Sequence, residues 1–330
     1  MRRTHPVAAG VRARRLPAAD RVDQAGPVLA GGAGPSPSRM SPSGRLPKLQ
    51  PGRGLGEDHR RKPDRVGEDP LGWVRKEEQR RGPRVPPAQY ELPFRVAGKR
   101  GLNPRTVELR LAPLARRLPF VPGQYLLLSD PDGQIEPRSY SIANRPRPDG
   151  TLTLLVTQVP GGQCSGWVLG TLPAGAEVLV DGPFGDFFPG PEDWDARVYL
   201  AGGVGMAPIL ALLEEALGSP GEADLHLLCS LRSEDDFLGR EQVRRLQRRH
   251  PRFHVTRTLT RGSGQPPLGR LPPLLPALLG SLAQVSTFVA GPEGFVDSCA
   301  AALLSLGADP SRLHTEAFFP TPSPWGPGPP

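Results

Sequence analysis

The hydrophobic periodicity of this chain changes near Trp194, and that change restricts the fold more than any single motif. Upstream, apolar side chains recur at every second residue in short runs. These are Thr106–Leu111, Gln124–Ser129, Ser139–Ala143, Leu152–Val159 and Ala176–Asp181, separated by Pro/Gly turns. Alternation of this kind places one face of each run in a core. Several brief strands at turn spacing, with little helix, predict an antiparallel barrel. Downstream, apolar strands alternate with helical patterns. Strands are expected at Arg197–Ala201, Asp224–Leu231, Phe253–Leu259 and Thr287–Ala290, and helices at Ala207–Leu217, Arg240–His250, Leu271–Leu282 and Val296–Leu306. A strand–helix alternation predicts a parallel, doubly wound sheet.

Charge divides the chain differently. The 330 residues include 40 glycines and 43 prolines and carry a net charge of +8. Residues 1–89 hold 19 Lys/Arg against 9 Asp/Glu, whereas residues 90–330 hold 22 against 24. The basic balance therefore belongs to the leader, and it gives no ground for treating the body as a nucleic-acid binder. Residues 1–85 show no apolar periodicity and read as a disordered basic leader, with no role required of it. An organelle transit peptide and an electrostatic arm for an acidic partner are the alternatives, and Met40 is a second possible start. Residues 320–330 read as a loose Pro/Gly tail. The globular part divides into a barrel over 88–192 and a parallel-sheet domain over 194–319.

Three widely spaced cysteines, Cys164, Cys229 and Cys299, cannot supply a plant-type iron–sulfur run or a paired zinc site. No metal is expected. Their odd count and the lack of a signal-peptide apolar region place the chain in a reducing cytoplasm. No apolar run reaches membrane-spanning length. His226, His250, His254 and His314 lack metal-ligand spacing and read as packed or surface residues.

Three segments suit chemistry. Ala201-Gly-Gly-Val-Gly-Met-Ala-Pro208 lies between an apolar strand and an apolar helix, where backbone N–H groups at a helix start can face a pyrophosphate. A tight turn with no ligand is the plain alternative. In Arg138-Ser-Tyr-Ser141, Arg138 and Tyr140 share one strand face. An arginine fork suits a diphosphate and a phenol suits stacking on a flat ring. Gly161-Gly-Gln-Cys-Ser165 before an apolar run suggests a second anion cradle, with Ser165 as cap and phosphate donor, or simply a capped helix.

With these in place, the chain from about Tyr90 to Phe319 resembles the ferredoxin–NADP reductase-like flavoproteins. The resemblance rests on Val121-Pro-Gly-Gln-Tyr125, Arg138–Ala143, Gly161–Ser165, Gly182-Pro-Phe-Gly185, Ala201–Pro208, Ala290–Phe295 and Glu316-Ala-Phe318, which occur in that family's order. It implies a β plus α/β architecture: a Greek-key antiparallel FAD-binding barrel followed by a doubly wound NAD(P)-binding sheet. Arg138 and Ser139 would then bind FAD, Tyr140 would stack on its ring, and Ser141 would stand near its N5. Gly161, Gly162 and Ser165 would lie under the pyrophosphate. Gly202, Gly203, Gly205 and Pro208 would form the nicotinamide-cofactor turn, and Gly291 and Pro292 would frame the cleft. Ser141, Glu316 and Phe319 would be the catalytic set, with Phe318 as the other choice of aromatic closing over the flavin. Family members often carry a cysteine where this chain has Ala290.

The loop Ser230–Asp236 sets the choice between NADH and NADPH. Arg232 and Ser233 suit a 2′-phosphate, whereas Glu234, Asp235 or Asp236 suits a 2′-hydroxyl. Both readings stand, and Arg232 tilts the balance to NADPH. The implied activity is an NAD(P)H-dependent oxidoreductase using FAD and passing electrons to a separate acceptor, such as a ferredoxin, flavodoxin or oxygenase component. A flavin reductase or diaphorase, and a non-catalytic redox subunit, are the rivals. The arginines Arg244, Arg245, Arg248 and Arg249 read as a solvated helix face or as a dock for an acidic partner.

Overall fold

A computed structural model describes residues 90–190, 193, 196–218, 224–261 and 269–318. The leader 1–85, the tail 320–330 and Phe319 fall outside the described residues.

The first part is antiparallel. Strands β1 (Tyr90–Asn103), β2 (Thr106–Pro113), β3 (Tyr125–Ser129), β4 (Arg138–Ser141), β5 (Leu152–Thr157) and β6 (Glu177–Phe184) form one sheet in the order β4-β3-β6-β1-β2-β5. A single antiparallel bridge, Ile142 to Leu154, brings the two edge strands together and closes the sheet on itself. Alternation explains the closure, because every inward residue must be apolar. Phe94, Leu109, Leu111, Leu126, Leu128, Ile142, Leu154, Val178 and Val180 fill the interior with at most 1% exposure each. Helix α1 (Gln163–Leu169) plugs one side through Cys164 and Val168.

The second part is a parallel sheet in the order β11-β10-β7-β8-β9, with strands β7 (Arg197–Gly202), β8 (Leu225–Leu231), β9 (Phe253–Leu259), β10 (Ser286–Pro292) and β11 (Leu313–Phe318). Helices α2 (Met206–Gly218), α3 (Arg240–Arg249), α4 (Leu271–Leu278) and α5 (Glu293–Ser305) complete it. Successive β7 residues point to opposite faces. Tyr199 and Ala201 enter the layer that includes α2 residues, while Val198 and Leu200 enter the layer with α4 and α5 residues. The central strands β7, β8 and β10 are thus buried on both sides, which is why they read as near-continuous apolar runs.

Element boundaries differ in places from the sequence expectation. Helix α4 ends at Leu278 rather than 282, and Leu282 is buried in the core beyond it. Strands β1 and β11 were not anticipated.

Candidate functional site

The chain builds β7, β8 and β9 outward from the middle of the sheet, then returns to place β10 on the other side of β7. The order of strands therefore reverses between β7 and β10. In open α/β sheets the crevice outside the carboxyl ends of the strands at such a reversal is where ligands bind. Here Gly202 ends β7, and Gly291 and Pro292 end β10. Ala201, Ala290 and Glu316 stand in register across β7, β10 and β11.

Glu316 reaches out of this row to the barrel. The Ser141 hydroxyl donates to its Oε1 at 2.7 Å, joining residues 175 positions apart in the chain. Burial pushes the Glu316 carboxyl up, the Ser141 hydrogen bond draws it partly back, and Asp186 adds to the rise, leaving it at about 7. Tyr125, paired with Ser141 across β3 and β4, has its phenol raised by burial and by the Glu316 charge. Its ring lies 5.6 Å from Phe184 and close over Gly185, where an added Cβ would meet the ring at 3.0 Å. Tyr125 and Asp186 were missed as site residues, although Tyr125 ends the motif Val-Pro-Gly-Gln-Tyr125 and Asp186 directly follows Gly-Pro-Phe-Gly185.

On the barrel side, Arg138 and Tyr140 are half-buried, Ser139 is exposed and Ser141 is buried. The Arg138 guanidinium donates to Glu136 at 2.5 Å and to the Pro137 carbonyl. The Tyr140 hydroxyl lies 3.5 Å from Cys164 Sγ, and burial raises both groups' pKa values above their ordinary range. Gly161 has a left-handed φ of 71°, with nothing within 4 Å of where a Cβ would stand. The space in front of this turn is open, as a bound phosphate requires. Gly162 is the helix N-cap and makes no side-chain cap. The cap reading of Ser165 is thereby corrected. Ser165 sits in the first turn, accepting from the Val159 N–H at 3.1 Å and donating to the Gly162 carbonyl at 3.2 Å. Its hydroxyl shapes the turn and has its proton committed there.

The second glycine turn divides by environment. At Gly205 a Cβ would stand 2.0 Å from the Ala290 carbonyl oxygen. At Gly202 and Gly291 it would strike the Phe295 ring at 2.9 and 2.8 Å. These three glycines let the turn, β10 and α5 approach one another. Gly203 is different, with φ +56° and nothing within 4 Å of a Cβ, so it faces open space. Pro208 is buried in the first turn of α2, where a missing N–H costs nothing. Pro292 is exposed at the mouth.

In the loop after β8, Ser233 donates to Asp236 at 2.9 Å and Asp236 in turn caps the Ser233 N–H. Glu234 pairs with Arg257 at 2.8 Å and with Arg240 at 3.9 Å. Two of the three acids are thus engaged within the loop region, while Arg232 is exposed. Among the described residues, no group of three or more His, Cys, Asp or Glu is placed to hold a metal.

The structure brings Ser141 and Glu316 into contact and gathers Gly202, Gly203, Gly205 and Gly291 at one crevice. The open left-handed turns at Gly161 and Gly203, with a partly exposed Arg138 at the start of β4, fit a flavin dinucleotide on the barrel and a nicotinamide dinucleotide on the sheet. Residues 97–188 match the oxidoreductase FAD-binding domain family, and residues 199–301 match the oxidoreductase NAD-binding domain family. The chain belongs to the ferredoxin–NADP reductase-like flavoproteins.

Its relatives in this family include the ferredoxin–NAD(P)(+) reductase component of the naphthalene 1,2-dioxygenase/salicylate 5-hydroxylase systems of a Ralstonia species, 31% identical over 63% of this chain and 63% of the relative. The glycine betaine monooxygenase reductase subunit of Chromohalobacter salexigens is 30% identical over 62% of this chain and 57% of the relative. Among solved structures, the Amycolatopsis cytochrome P450 reductase GcoB aligns with a TM-score of 0.66 and 29% identity, covering 71% of this chain and 72% of that one. The chain thus spans under two thirds of the length of these two reductase relatives.

Proposed function

We propose that this chain is an FAD-dependent reductase that takes hydride from NAD(P)H and delivers electrons to a separate one-electron acceptor, a ferredoxin or oxygenase component. The observation that carries this reading is the Ser141–Glu316 contact, which joins the FAD-type barrel to the carboxyl edge of the NAD-type sheet. The names of the relatives, reductase components of oxygenase systems, support the choice of acceptor class.

Bound FAD would supply a carrier that accepts two electrons together and releases them singly. The chain's own groups do the rest. Arg138 would offer a guanidinium fork to the diphosphate on leaving Glu136, and the first-turn N–H groups of α1, with no intrahelical acceptors, would face it beside Gly161. Ser141 and Glu316 would present a hydroxyl and a carboxyl to the ring's reactive edge. With a carboxyl near 7, Glu316 can carry or release a proton there at neutral pH. Gly203 would leave room for the nicotinamide cofactor's pyrophosphate, and the exposed Arg232 would meet its adenosine end. Phe319, next after the last described residue, is the candidate shielding ring. The three buried free cysteines, Cys164, Cys229 and Cys299, fit a reducing compartment such as the cytoplasm. No helix among the described residues is long and apolar enough to cross a membrane.

The test is reconstitution with FAD, then anaerobic titration with NADH and NADPH in turn, followed by ferricyanide as a one-electron acceptor. Bleaching of the flavin band and rapid ferricyanide turnover are expected. A folded protein that stays colourless after reconstitution would sink the reading.

A further inference from the structure

Among the described residues, strand β11 lies at the edge of the parallel sheet and has β10 as its one strand neighbour. An edge strand with one ladder is the least constrained element of a sheet, yet β11 carries Glu316. A second attachment lies two residues away. His314 and Glu316 share one strand face. The His314 ring lies flat on Phe288 of β10, with centroids 4.5 Å apart and planes 6° apart. Its Nε2 stands 3.1 Å from both carboxylate oxygens of Asp193.

Asp193 belongs to the crossover from barrel to sheet, and its side chain is only 4% exposed. It also accepts from the Gly190 N–H at 2.6 Å. Burial pushes its carboxyl up, but hydrogen bonds from His314 and Ser286 outweigh that and hold it below the ordinary range. It is therefore an ionised acceptor, and His314 must present an Nε2–H to it. The same crossover carries Asp186, whose charge acts on Glu316, and Phe187, whose ring meets Phe288 edge-on at 5.8 Å.

We propose that Asp193 and His314 are positioning residues for Glu316: they brace the edge strand against the crossover, so that the carboxyl is presented to Ser141 and kept from water. This rests on the reading of Ser141 and Glu316 as the flavin-facing pair, but its main test does not. The groups facing Glu316 are Ser141 on β4, Tyr125 on β3 and Asp186 on the crossover, and none of them is altered in the variants used for the titration.

The experiment follows the Glu316 carboxyl by 13C NMR in flavin-free protein labelled at glutamate, with Glu316→Gln identifying the signal. In the wild type its midpoint is expected at about 7. In Asp193→Asn and His314→Phe the loosened strand admits water, and the midpoint falls toward 4.5 by about one unit or more. His314→Phe keeps the stack on Phe288 and lacks the donor. His314→Gln keeps a donor for Asp193 and leaves the midpoint near the wild-type value. Thermal unfolding of each variant confirms that it is folded, and if Asp193→Asn is not, the His314 pair decides alone.

In FAD-loaded protein, His314→Phe slows flavin reduction at saturating NAD(P)H on the order of tenfold, with KM little changed. In a Ser141→Ala background the same substitution has less than half that effect on a logarithmic scale. An unmoved Glu316 midpoint in folded His314→Phe, or an equal shift in His314→Gln, overturns the proposal. Failure of the wild type to bind FAD overturns the functional reading instead and leaves the titration standing.

Discussion

At the scale of single residues, the Glu316 carboxyl decides most. Half-buried and bonded to Ser141, it changes charge near neutral pH rather than near 4.5. In the FAD-loaded protein, the rate of flavin reduction should therefore change with an apparent pKa of about 7 in the wild type. Glu316→Gln keeps the shape and cannot titrate, so its pH–rate profile should be flat through that region and its rate lower on the order of a hundredfold. A profile in Glu316→Gln that keeps the same inflection would assign the titration to another group. Arg232 makes a separate prediction. Glu234 and Asp236 are engaged by Arg257 and Ser233, so the exposed Arg232 is the cation in this loop placed to meet a 2′-phosphate, with the exposed Asp235 three positions along. Arg232→Ala should raise KM for NADPH by about ten- to a hundredfold and leave KM for NADH within about twofold, which steady-state kinetics with both cofactors will show. Ser141 and Glu316 were both legible in the sequence as separate motif positions. Their contact was not, because residues 175 apart meet only once both domains are assembled.

At the scale of elements, the glycine turn after β7 separates packing from binding. Gly205→Ala places a methyl group 2.0 Å from the Ala290 carbonyl oxygen. Backbone must move, and a cost of about 2–4 kcal/mol is expected. Gly203→Ala meets nothing and costs only the left-handed backbone, about 1 kcal/mol. Its methyl nevertheless enters the space in front of the turn. Chemical denaturation and cofactor titration of both variants should therefore part company: Gly205→Ala loses stability first, whereas Gly203→Ala stays folded and loses affinity for NAD(P)H. Equal loss of affinity and stability in both would falsify the division. The same turn was readable as strand–glycine–helix, but its sequence did not distinguish which glycine faces a ligand. Two strands were not readable. In β1 the buried Leu92, Phe94 and Val96 do alternate, but Pro93 and the glycines at 98 and 101 interrupt the pattern. The ladder with β2 absorbs those interruptions as register shifts at 96/98 and 101/103. In β11 the alternation is filled by His314 and Glu316, polar residues that a half-buried strand does not ordinarily carry. Local rules fail there because the strand serves the site.

At the scale of the whole molecule, two buried groups give stability opposite dependences on pH. Glu316 has its folded value raised from 4.5 to about 7. Between those values the native state holds the proton more tightly than the unfolded chain, so this contribution is fully present below about 4.5 and is lost as pH rises through about 7. His226 does the reverse. Burial first, and then the neighbouring His254, lower it from 6.5 to about 4. The unfolded chain takes up that proton more readily, so the His226 contribution is present above 6.5 and is lost as pH falls toward about 4. Each shift corresponds to roughly 3 kcal/mol at its limit, and the two windows overlap between about 4.5 and 6.5. There the slopes nearly cancel, and wild-type stability should be almost flat. His226→Gln retains a partner for Thr256, whose hydroxyl lies 3.0 Å from Nε2. It should expose the Glu316 slope, so that stability increases as pH falls from about 7 to 4.5. Glu316→Gln should expose the other slope, with stability falling as pH drops from about 6.5 to 4. Urea midpoints measured across this range, with Tyr125, Asp186 and Asp193 left intact, should give two lines of opposite sign. Parallel lines in the two variants would mean that neither buried group governs how the folded chain responds to acid.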